Sequence, residues 1–185
     1  MAKSLEEAEF QGEPIHATVK NGRITVDDPD RSSELEQLGY GEKDAKHHVL
    51  KDHEALYLIF SKKLQLKDDR GGDIPFDRLA EEAMRRAEDS WSRFIIYRDL
   101  RSMGYVAKDG FGFGTDLRVY ERVDFPRKAA KYVVFVLDEG AETSVDDLRD
   151  SVKQITKMGK EAIVAVVERR GEVIYYKVTR ANFNK

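Results

Sequence analysis

Two unbroken apolar runs near the C-terminus limit the folds open to this chain. Residues 132–137 and 162–167 contain no polar side chain apart from a tyrosine hydroxyl, which is typical of strands covered on both faces. Between them, Ser144 is suited to cap a helix that Gly159 would end. The buried stripe predicted for this helix consists of Val145, Leu148, Val152 and Ile155. Strands that flank a helix in this way imply a compact α/β domain.

The segment before these runs has the alternation of a half-buried strand. Leu117 and Val119 alternate with Arg118 and Tyr120, so the apolar pair shares one face and the polar pair shares the other. Tyr120 is therefore predicted to lie on the same side as Arg118, away from the core. After the last apolar run, a turn at 168–171 leads into a final predicted strand at 172–178.

Near the N-terminus the sequence predicts a β-hairpin. Strand-like runs at 16–20 and 23–26 are separated by Asn21-Gly22. This pair accepts the positive φ angles of a type I′ turn, which matches the twist of the two flanking strands.

Helical and polar segments alternate over the rest of this half. A short helix is predicted at 33–38, followed by a polar loop at 39–48. Asp52 is predicted to cap a second helix, and residues 67–73 to form another loop. A long helix is predicted from 76 to about 103, where apolar residues recur at helical spacing. These residues are Leu79, Ala83, Ala87, Trp91, Phe94 and Ile95.

The chain therefore divides into two units of the α/β (α+β) class. We predict a small N-terminal α/β domain over residues 1–92. A C-terminal α/β domain with a central mixed sheet is predicted over residues 93–185.

Composition excludes several classes of site and of location. The chain has no cysteine, which excludes disulfides, thiolate metal sites and a cysteine nucleophile. No apolar run approaches the roughly 18 residues that a membrane helix needs. The first ten residues lack an apolar signal core, so we expect a cytoplasmic protein with no membrane partner. The net charge of −3 means that any nucleic acid would have to be bound by a local basic patch.

Several ordered segments resemble a known family. They are FGFGTDLRVY at 111–120, RKAAKYVVFV at 127–136 and KEAIVAVVERRGEVIYYKV at 160–178, preceded by YRDLRSMGYVAKDG at 97–110. In this order and spacing they resemble the C-terminal half of an archaeal tRNA-splicing endonuclease (tRNA-intron endonuclease) subunit. The C-terminal domain is accordingly expected to be nuclease-like.

The resemblance implies RNA cleavage without a metal or other cofactor. In this family a ribose 2′-hydroxyl attacks the neighbouring phosphate, and the products are a 2′,3′-cyclic phosphate and a 5′-hydroxyl. Tyr120 corresponds to the residue that takes the 2′ proton, and Lys160 to the cation that stabilises the phosphorane. A tyrosine or a lysine alone in such a place is ordinarily structural. The two contexts together favour the catalytic interpretation.

The third catalytic position carries Ala129 where the family has a histidine. Alanine cannot donate a proton to the leaving oxygen, and loss of a general acid typically costs about 10² to 10⁴ in rate. Because Tyr120 and Lys160 remain, we favour a catalytic subunit that is disabled at one group. The alternative is a natural structural subunit that scaffolds an active paralogue.

The resemblance also suggests residues that contact RNA. Lys153 and Lys177 stand where relatives carry two arginines that sandwich an extruded base, and Arg118 lies beside Tyr120. In the polar segment 39–48, Lys43 or Lys46 could approach the cleaved RNA, as a lysine does in one archaeal branch. Simple solvated lysines are the alternative for each of these.

Assembly is implied as well. An acidic loop of the family docks into a neighbouring subunit, and Asp138, Glu139 and Glu142 occupy its place here. The expected substrate is precursor tRNA with a bulge-helix-bulge, which needs two active sites. We therefore expect a homo-oligomer or a heterotetramer with a paralogous subunit, in which the final strand could pair across a two-fold axis.

A metal-dependent nuclease of the restriction-enzyme type is a weaker alternative. Asp116 could be one of its carboxylates, but no convincing Glu-x-Lys partner follows. The four histidines lie in the N-terminal unit and do not form a zinc-binding pattern. They are His16, His47, His48 and His53.

Overall fold

A computed structural model of the chain describes residues 12–44, 47–110, 116–140 and 142–181. This part contains two five-stranded mixed sheets and five α-helices. The N-terminal elements are β1 (Ile15–Lys20), β2 (Arg23–Val26), α1 (Pro29–Gln37), β3 (Glu42–Asp44), β4 (His47–Leu50), α2 (Asp52–Phe60), β5 (Leu64–Asp68) and α3 (Phe76–Arg86). They are followed by α4 (Ser90–Ser102), β6 (Tyr105–Asp109), β7 (Asp116–Glu121), β8 (Tyr132–Asp138), α5 (Val145–Lys157), β9 (Glu161–Val167) and β10 (Val173–Val178). The mixed α/β class is confirmed.

The N-terminal sheet has the strand order β3-β4-β2-β1-β5. The predicted hairpin is confirmed as β1 and β2, with Asn21 and Gly22 at φ 52° and 74°, as a type I′ turn requires. β1 also pairs in parallel with β5. We had not predicted β5, although Leu64 and Leu66 alternate with polar residues and are buried.

The prediction of a loop at 39–48 is wrong for residues 42–44 and 47–48. Residues 42–44 and 47–50 form the antiparallel strands β3 and β4. All three residues of β3 are exposed and polar, so this strand leaves no apolar alternation in the sequence. It forms because the edge of β4 offers backbone hydrogen-bonding partners.

The first two helices begin at residues other than those predicted. α1 begins at Pro29 rather than Ser33, because the Asp28 carboxylate accepts from the backbone N–H of Asp30 at 2.9 Å. Asp52 is the first residue of α2 rather than its cap. The cap is Lys51, whose backbone N–H donates to Glu54 at 2.9 Å.

The long helix predicted at 76–103 is two helices. Ala87 is extended, with φ −149° and ψ 130°, and this ends α3. The Ser90 hydroxyl at the start of α4 donates to the Ala83 carbonyl at 2.9 Å, which also accepts from the Ala87 N–H at 3.0 Å. Trp91, which was predicted to be buried, is 41% exposed. Val145, predicted to be buried in α5, is 80% exposed.

The C-terminal sheet has the order β10-β9-β8-β7-β6. β8 and β9 are parallel and joined by α5, while β6, β7 and β10 are antiparallel to their neighbours. The strands predicted around Leu117, at 132–137, at 162–167 and at 172–178 are confirmed. The Ser144 cap is confirmed as well, since its hydroxyl accepts from the Asp147 N–H at 3.4 Å. β6 was not predicted.

α4 lies at the centre of the molecule. It packs on α2 and α3 on one side and on β6, β8, β9 and β10 on the other. Its buried residues belong to one core that continues into both sheets, and they are Phe94, Ile95, Ile96, Tyr97 and Leu100. Each such large apolar side chain contributes roughly 1.5–3 kcal/mol on burial. The boundary between residues 92 and 93 falls inside this helix and stays a prediction.

α5 covers the opposite face of the C-terminal sheet. A smaller core there contains Val133, Val152, Ile155 and Ala162. In the described residues no helix has the length and apolar character to cross a membrane.

Candidate active site

Tyr120, Ala129 and Lys160 lie on the side of the C-terminal sheet where β7 ends and β8 and β9 begin. This side, formed by strand ends, is called the sheet edge below. β7 is antiparallel to β8 and β8 is parallel to β9, so the end of β7 meets the starts of β8 and β9. The register aligns three residues in a row across these strands: Val119, Tyr132 and Glu161. Since neighbouring strands lie about 4.8 Å apart, the backbones of Tyr120 and Lys160 are separated by roughly 10 Å.

Backbone hydrogen bonds hold the loop that contains position 129 against this edge. The Lys131 N–H donates to the Val119 carbonyl at 3.0 Å, and the Glu161 N–H donates to the Lys131 carbonyl at 3.0 Å. The Lys160 ammonium donates to the Ala130 carbonyl at 2.7 Å. The lysine head group is therefore bound to the residue next to position 129.

Ala129 itself is exposed, whereas Ala130 is buried. Position 129 thus faces solvent at the edge, three residues before β8 begins, and offers only a methyl group. A side chain with a proton to donate is missing there.

Tyr120 lies on the α5 side of the sheet, and its ring packs against another aromatic ring. As predicted, Leu117 and Val119 are buried on the α4 side, while Tyr120 is half-buried. Its ring and that of Phe125 have centroids 5.2 Å apart and planes at 81°. Edge-to-face contact of this kind is a preferred arrangement of two rings and contributes roughly 0.5–1.5 kcal/mol.

Arg118 shares the face of Tyr120 but is held towards the other end of β7. Its Nε donates to the Asp109 carbonyl at 2.6 Å, and its Nη2 lies 3.8 Å from a Glu42 carboxylate oxygen. Asp109 is paired with Leu117, three residues before Tyr120. A role for Arg118 in RNA binding stays a prediction.

Lys131 is a cation at this edge that we had not singled out. It forms an ion pair with Glu121 at 2.6 Å, and its ammonium lies 5.1 Å from the Tyr132 ring centroid. The hydrogen bond to Glu121 raises the pKa of Lys131 above its usual range. The sequence signal that could have identified Lys131 is its position directly before the apolar strand β8, whose partner strand β9 begins directly after Lys160.

Lys153 and Lys177 lie on opposite faces of the sheet. Lys153 is exposed on α5. Lys177 lies on the α4 side, where its neighbour Tyr175 packs on the main core, whereas Val178 packs under α5. Lys177 is paired with Glu161 at 2.8 Å. Within one chain the two lysines do not form a single stacking site, and their role stays a prediction.

Two of the three acidic residues suggested for docking have partners within the chain. Asp138 accepts a hydrogen bond from the Ser92 hydroxyl of α4. Glu139 accepts one from the Arg169 backbone N–H at 3.0 Å. Glu142 is exposed. Docking of this loop into another subunit stays a prediction.

Lys43 lies on β3 at the rim of a cleft of about 610 Å³. The residues that line the cleft come from α1 and the segment after it, including Glu36 and Gly41. They also come from β6 and the turn after β7, including Lys108, Phe125 and Pro126. Lys46 lies outside the described residues. Contact of either lysine with RNA stays a prediction.

The histidines lie apart from this edge. His47 is paired with Asp27 at 2.8 Å, and His48 is bonded to the Tyr40 carbonyl at 2.8 Å. His53 is buried and His16 is exposed. Within 12–44, 47–110, 116–140 and 142–181, no three histidine or acidic side chains cluster as metal ligands.

Two family models cover most of the chain. Residues 15–80 match the N-terminal domain of tRNA intron endonuclease, and residues 90–175 match its catalytic C-terminal domain. Among curated proteins, the tRNA-splicing endonuclease of Methanococcus vannielii is 31% identical over 162 residues, which is 88% of this chain and 92% of that protein. That of Methanococcus maripaludis is 30% identical over the same shares. The Pyrococcus horikoshii tRNA-splicing endonuclease is 30% identical over 78% of this chain and 83% of its own. The chain therefore belongs to the tRNA-intron endonuclease family.

Proposed function

We propose that the chain is a subunit of an endonuclease that cuts introns out of precursor tRNA without a metal ion. The ribose 2′-oxygen attacks the adjacent phosphorus as Tyr120, in its phenolate form, accepts the 2′ proton. The bond to the 5′-oxygen breaks, and that oxygen takes up a proton. A 2′,3′-cyclic phosphate and a 5′-hydroxyl result, while the Lys160 ammonium offsets the charge that develops on the phosphorane.

The observation that carries this proposal is the shared sheet edge. The phenol of Tyr120 in β7 and the ammonium of Lys160 before β9 belong to residues whose backbones lie roughly 10 Å apart, a span that one phosphodiester and its two riboses can bridge. The loop that carries position 129 is hydrogen-bonded between them. The Lys160 contact with Ala130 supports the same grouping, because it ties the cation to the loop of the third position.

Because alanine has no proton to donate, position 129 provides no general acid for the departing 5′-oxygen. We infer that the chain as it stands cleaves slowly, since a positioned general acid is worth about 10² to 10⁴ in rate. Water at the exposed edge supplies the proton instead.

RNA recognition is proposed to rest on shape. Proteins read RNA through unpaired bases and helix geometry, which suits a bulge-helix-bulge with two cut sites. One chain supplies one site, so a homo-oligomer or a heterotetramer is required. β10, the outer strand of its sheet, is the edge we propose for pairing across a two-fold axis. A cytoplasmic location stays a prediction.

The test is to replace Ala129 by histidine and to assay bulge-helix-bulge RNA in EDTA. We expect Ala129→His to raise the cleavage rate by about 10² to 10⁴ and to yield cyclic phosphate ends. Ala130→His, one residue away at a buried site, is the control and should give no gain. The double variant Tyr120→Phe with Ala129→His should lose the gain.

Ala129 also favours a second candidate, a structural subunit that supports an active paralogue. That reading predicts no cleavage by Ala129→His alone, together with stable assembly with a catalytic paralogue. Cleavage that appears only with added magnesium would instead contradict the metal-free mechanism.

A further inference from the structure

The segment Leu38–Gly41, called the strap below, joins α1 to β3 and is held by side chains from both halves of the chain. Residues 39–41 are buried. Short buried segments outside regular structure need partners for their backbone groups. Here the N–H groups of Gly39 and Tyr40 donate to backbone carbonyls of α1, whereas three of the carbonyl groups accept from side chains.

Three side chains bind the carbonyl groups of the strap. Arg101 of α4 donates two hydrogen bonds of 3.2 Å to the Leu38 carbonyl. The Nε2 of His48 donates to the Tyr40 carbonyl at 2.8 Å. On the C-terminal sheet, the Lys108 ammonium of β6 donates to the Gly41 carbonyl.

A buried charge pair completes the attachment. The Gly41 N–H donates to Glu54 at 3.0 Å, and the Lys108 ammonium lies 3.6 Å from the same carboxylate oxygen. Glu54 is 1% exposed and Lys108 is 8% exposed. The strap is therefore fixed between α2 of the N-terminal half and β6 of the C-terminal sheet.

The middle of the strap packs against the residue that contacts Tyr120. Gly39 has φ +80°, and a Cβ there would lie 2.3 Å from Val106 Cγ1 and 3.3 Å from Phe125 Cε1. The absence of a side chain lets the strap backbone approach the Phe125 ring. The same ring also packs against Tyr120, at 5.2 Å between centroids.

We propose that Phe125, backed by the strap at Gly39, is a positioning residue that fixes the ring of Tyr120 at the sheet edge. This inference rests on the proposed role of Tyr120 as the group that takes the 2′ proton. Through it, the N-terminal half contributes to catalysis without touching the reacting atoms.

The expected effect is on the chemical step rather than on RNA affinity. A misplacement of about 1 Å in a reacting group can cost on the order of 10²-fold in rate. Phe125→Leu keeps an apolar side chain beside Gly39 but removes the edge-to-face contact that orients the phenol. Phe125→Tyr keeps the ring and should preserve function.

The first measurement is independent of cleavage. In protein labelled with 3-fluorotyrosine, the ¹⁹F resonance of Tyr120 is assigned as the one lost in Tyr120→Phe. Phe125→Leu should shift and broaden this resonance, and Gly39→Ala should shift it too. Phe60→Leu removes a comparable contact, with Phe94 at 6.3 Å, on an exposed site of α2, and should leave it unchanged.

The second measurement uses the Ala129→His protein. Phe125→Leu should lower the single-turnover rate about 10- to 100-fold, with the Kd for RNA within about two-fold. Phe125→Tyr and Phe60→Leu should retain the parent rate.

The outcomes separate this inference from the proposed function. If Ala129→His cleaves and Phe125→Leu cleaves equally well, or if the Tyr120 resonance does not move, the positioning role is overturned. A loss of RNA affinity that accounts for the whole loss of cleavage overturns it as well. If Ala129→His does not cleave RNA, alone or with any partner subunit, the proposed function is wrong. The predicted effect of Phe125 on the cleavage rate is then wrong too, even where the Tyr120 resonance shifts.

Discussion

At the scale of single residues, His53 is an ionisable group that is buried away from the sheet edge. It is 4% exposed, and its ring lies 4.8 Å from that of Tyr97. Burial lowers the pKa of His53 from 6.5 to about 4. The charged groups that face it from α2, α4 and β6 are Glu54, Arg93, Lys108 and Asp109. The two carboxylates oppose the shift without cancelling it.

This pKa predicts a loss of stability in mild acid. Between pH 6.5 and about 4 the unfolded chain binds a proton at His53 that the folded chain excludes, so stability is full above 6.5 and falls as the pH drops. The full difference is about 3 kcal/mol. Denaturant unfolding of the parent and of His53→Phe from pH 8 to 4 measures it, and the variant should lack this part of the slope.

The matched control is His16→Phe, because His16 is exposed on β1. It should leave the pH dependence as it is in the parent. Parallel curves for the parent and His53→Phe would contradict the assignment.

At the scale of elements, the strap depends on a glycine for two separate reasons. Gly39 and Gly171 have φ +80° and +78°, but a Cβ at Gly171 would meet nothing within 4 Å. Gly171→Ala should therefore cost only the left-handed strain, about 1–2 kcal/mol. Gly39→Ala should cost a further 1–3 kcal/mol or so from overpacking against Val106.

Chemical denaturation of the two variants separates these contributions. Equal losses would show that the strap can shift away from Val106. A larger loss in Gly39→Ala, with an unchanged m value, is the expected result.

Only some of the helices and strands could be predicted from sequence patterns. β8 and β9 could be predicted because continuous apolar runs specify buried strands, and the β1–β2 turn because Asn21-Gly22 has a specific backbone requirement. β3 could not, since its partner strand rather than its own side chains creates it. The break at Ala87 is not apparent from the sequence because alanine favours helix and the apolar residues on either side of it keep helical spacing.

The candidate site was predictable in part for the same reason. The segments around Tyr120 and Lys160 carry local patterns that a family resemblance preserves. The approach of Phe125 to Gly39 joins two segments about 85 residues apart in the chain, so no local pattern predicts it.

At the scale of the whole molecule, α4 gives the two sheets a common core. A chain with such a shared helix should unfold in one step. Far-UV circular dichroism and the fluorescence of Trp91, the sole tryptophan, should therefore give the same denaturation midpoint. Two separate midpoints would indicate that the halves fold independently.

The carbonyl groups of Leu38 and Gly41 bear on the order in which the molecule is made. Their partners Arg101 and Lys108 leave the ribosome more than 60 residues later. Until then the carbonyl groups of Leu38 and Gly41 lack these donors in the nascent N-terminal half. The face of α2 that packs on α4 is also still uncovered. Its maturation must wait for translation to reach β6, and an N-terminal fragment expressed alone would be prone to aggregate.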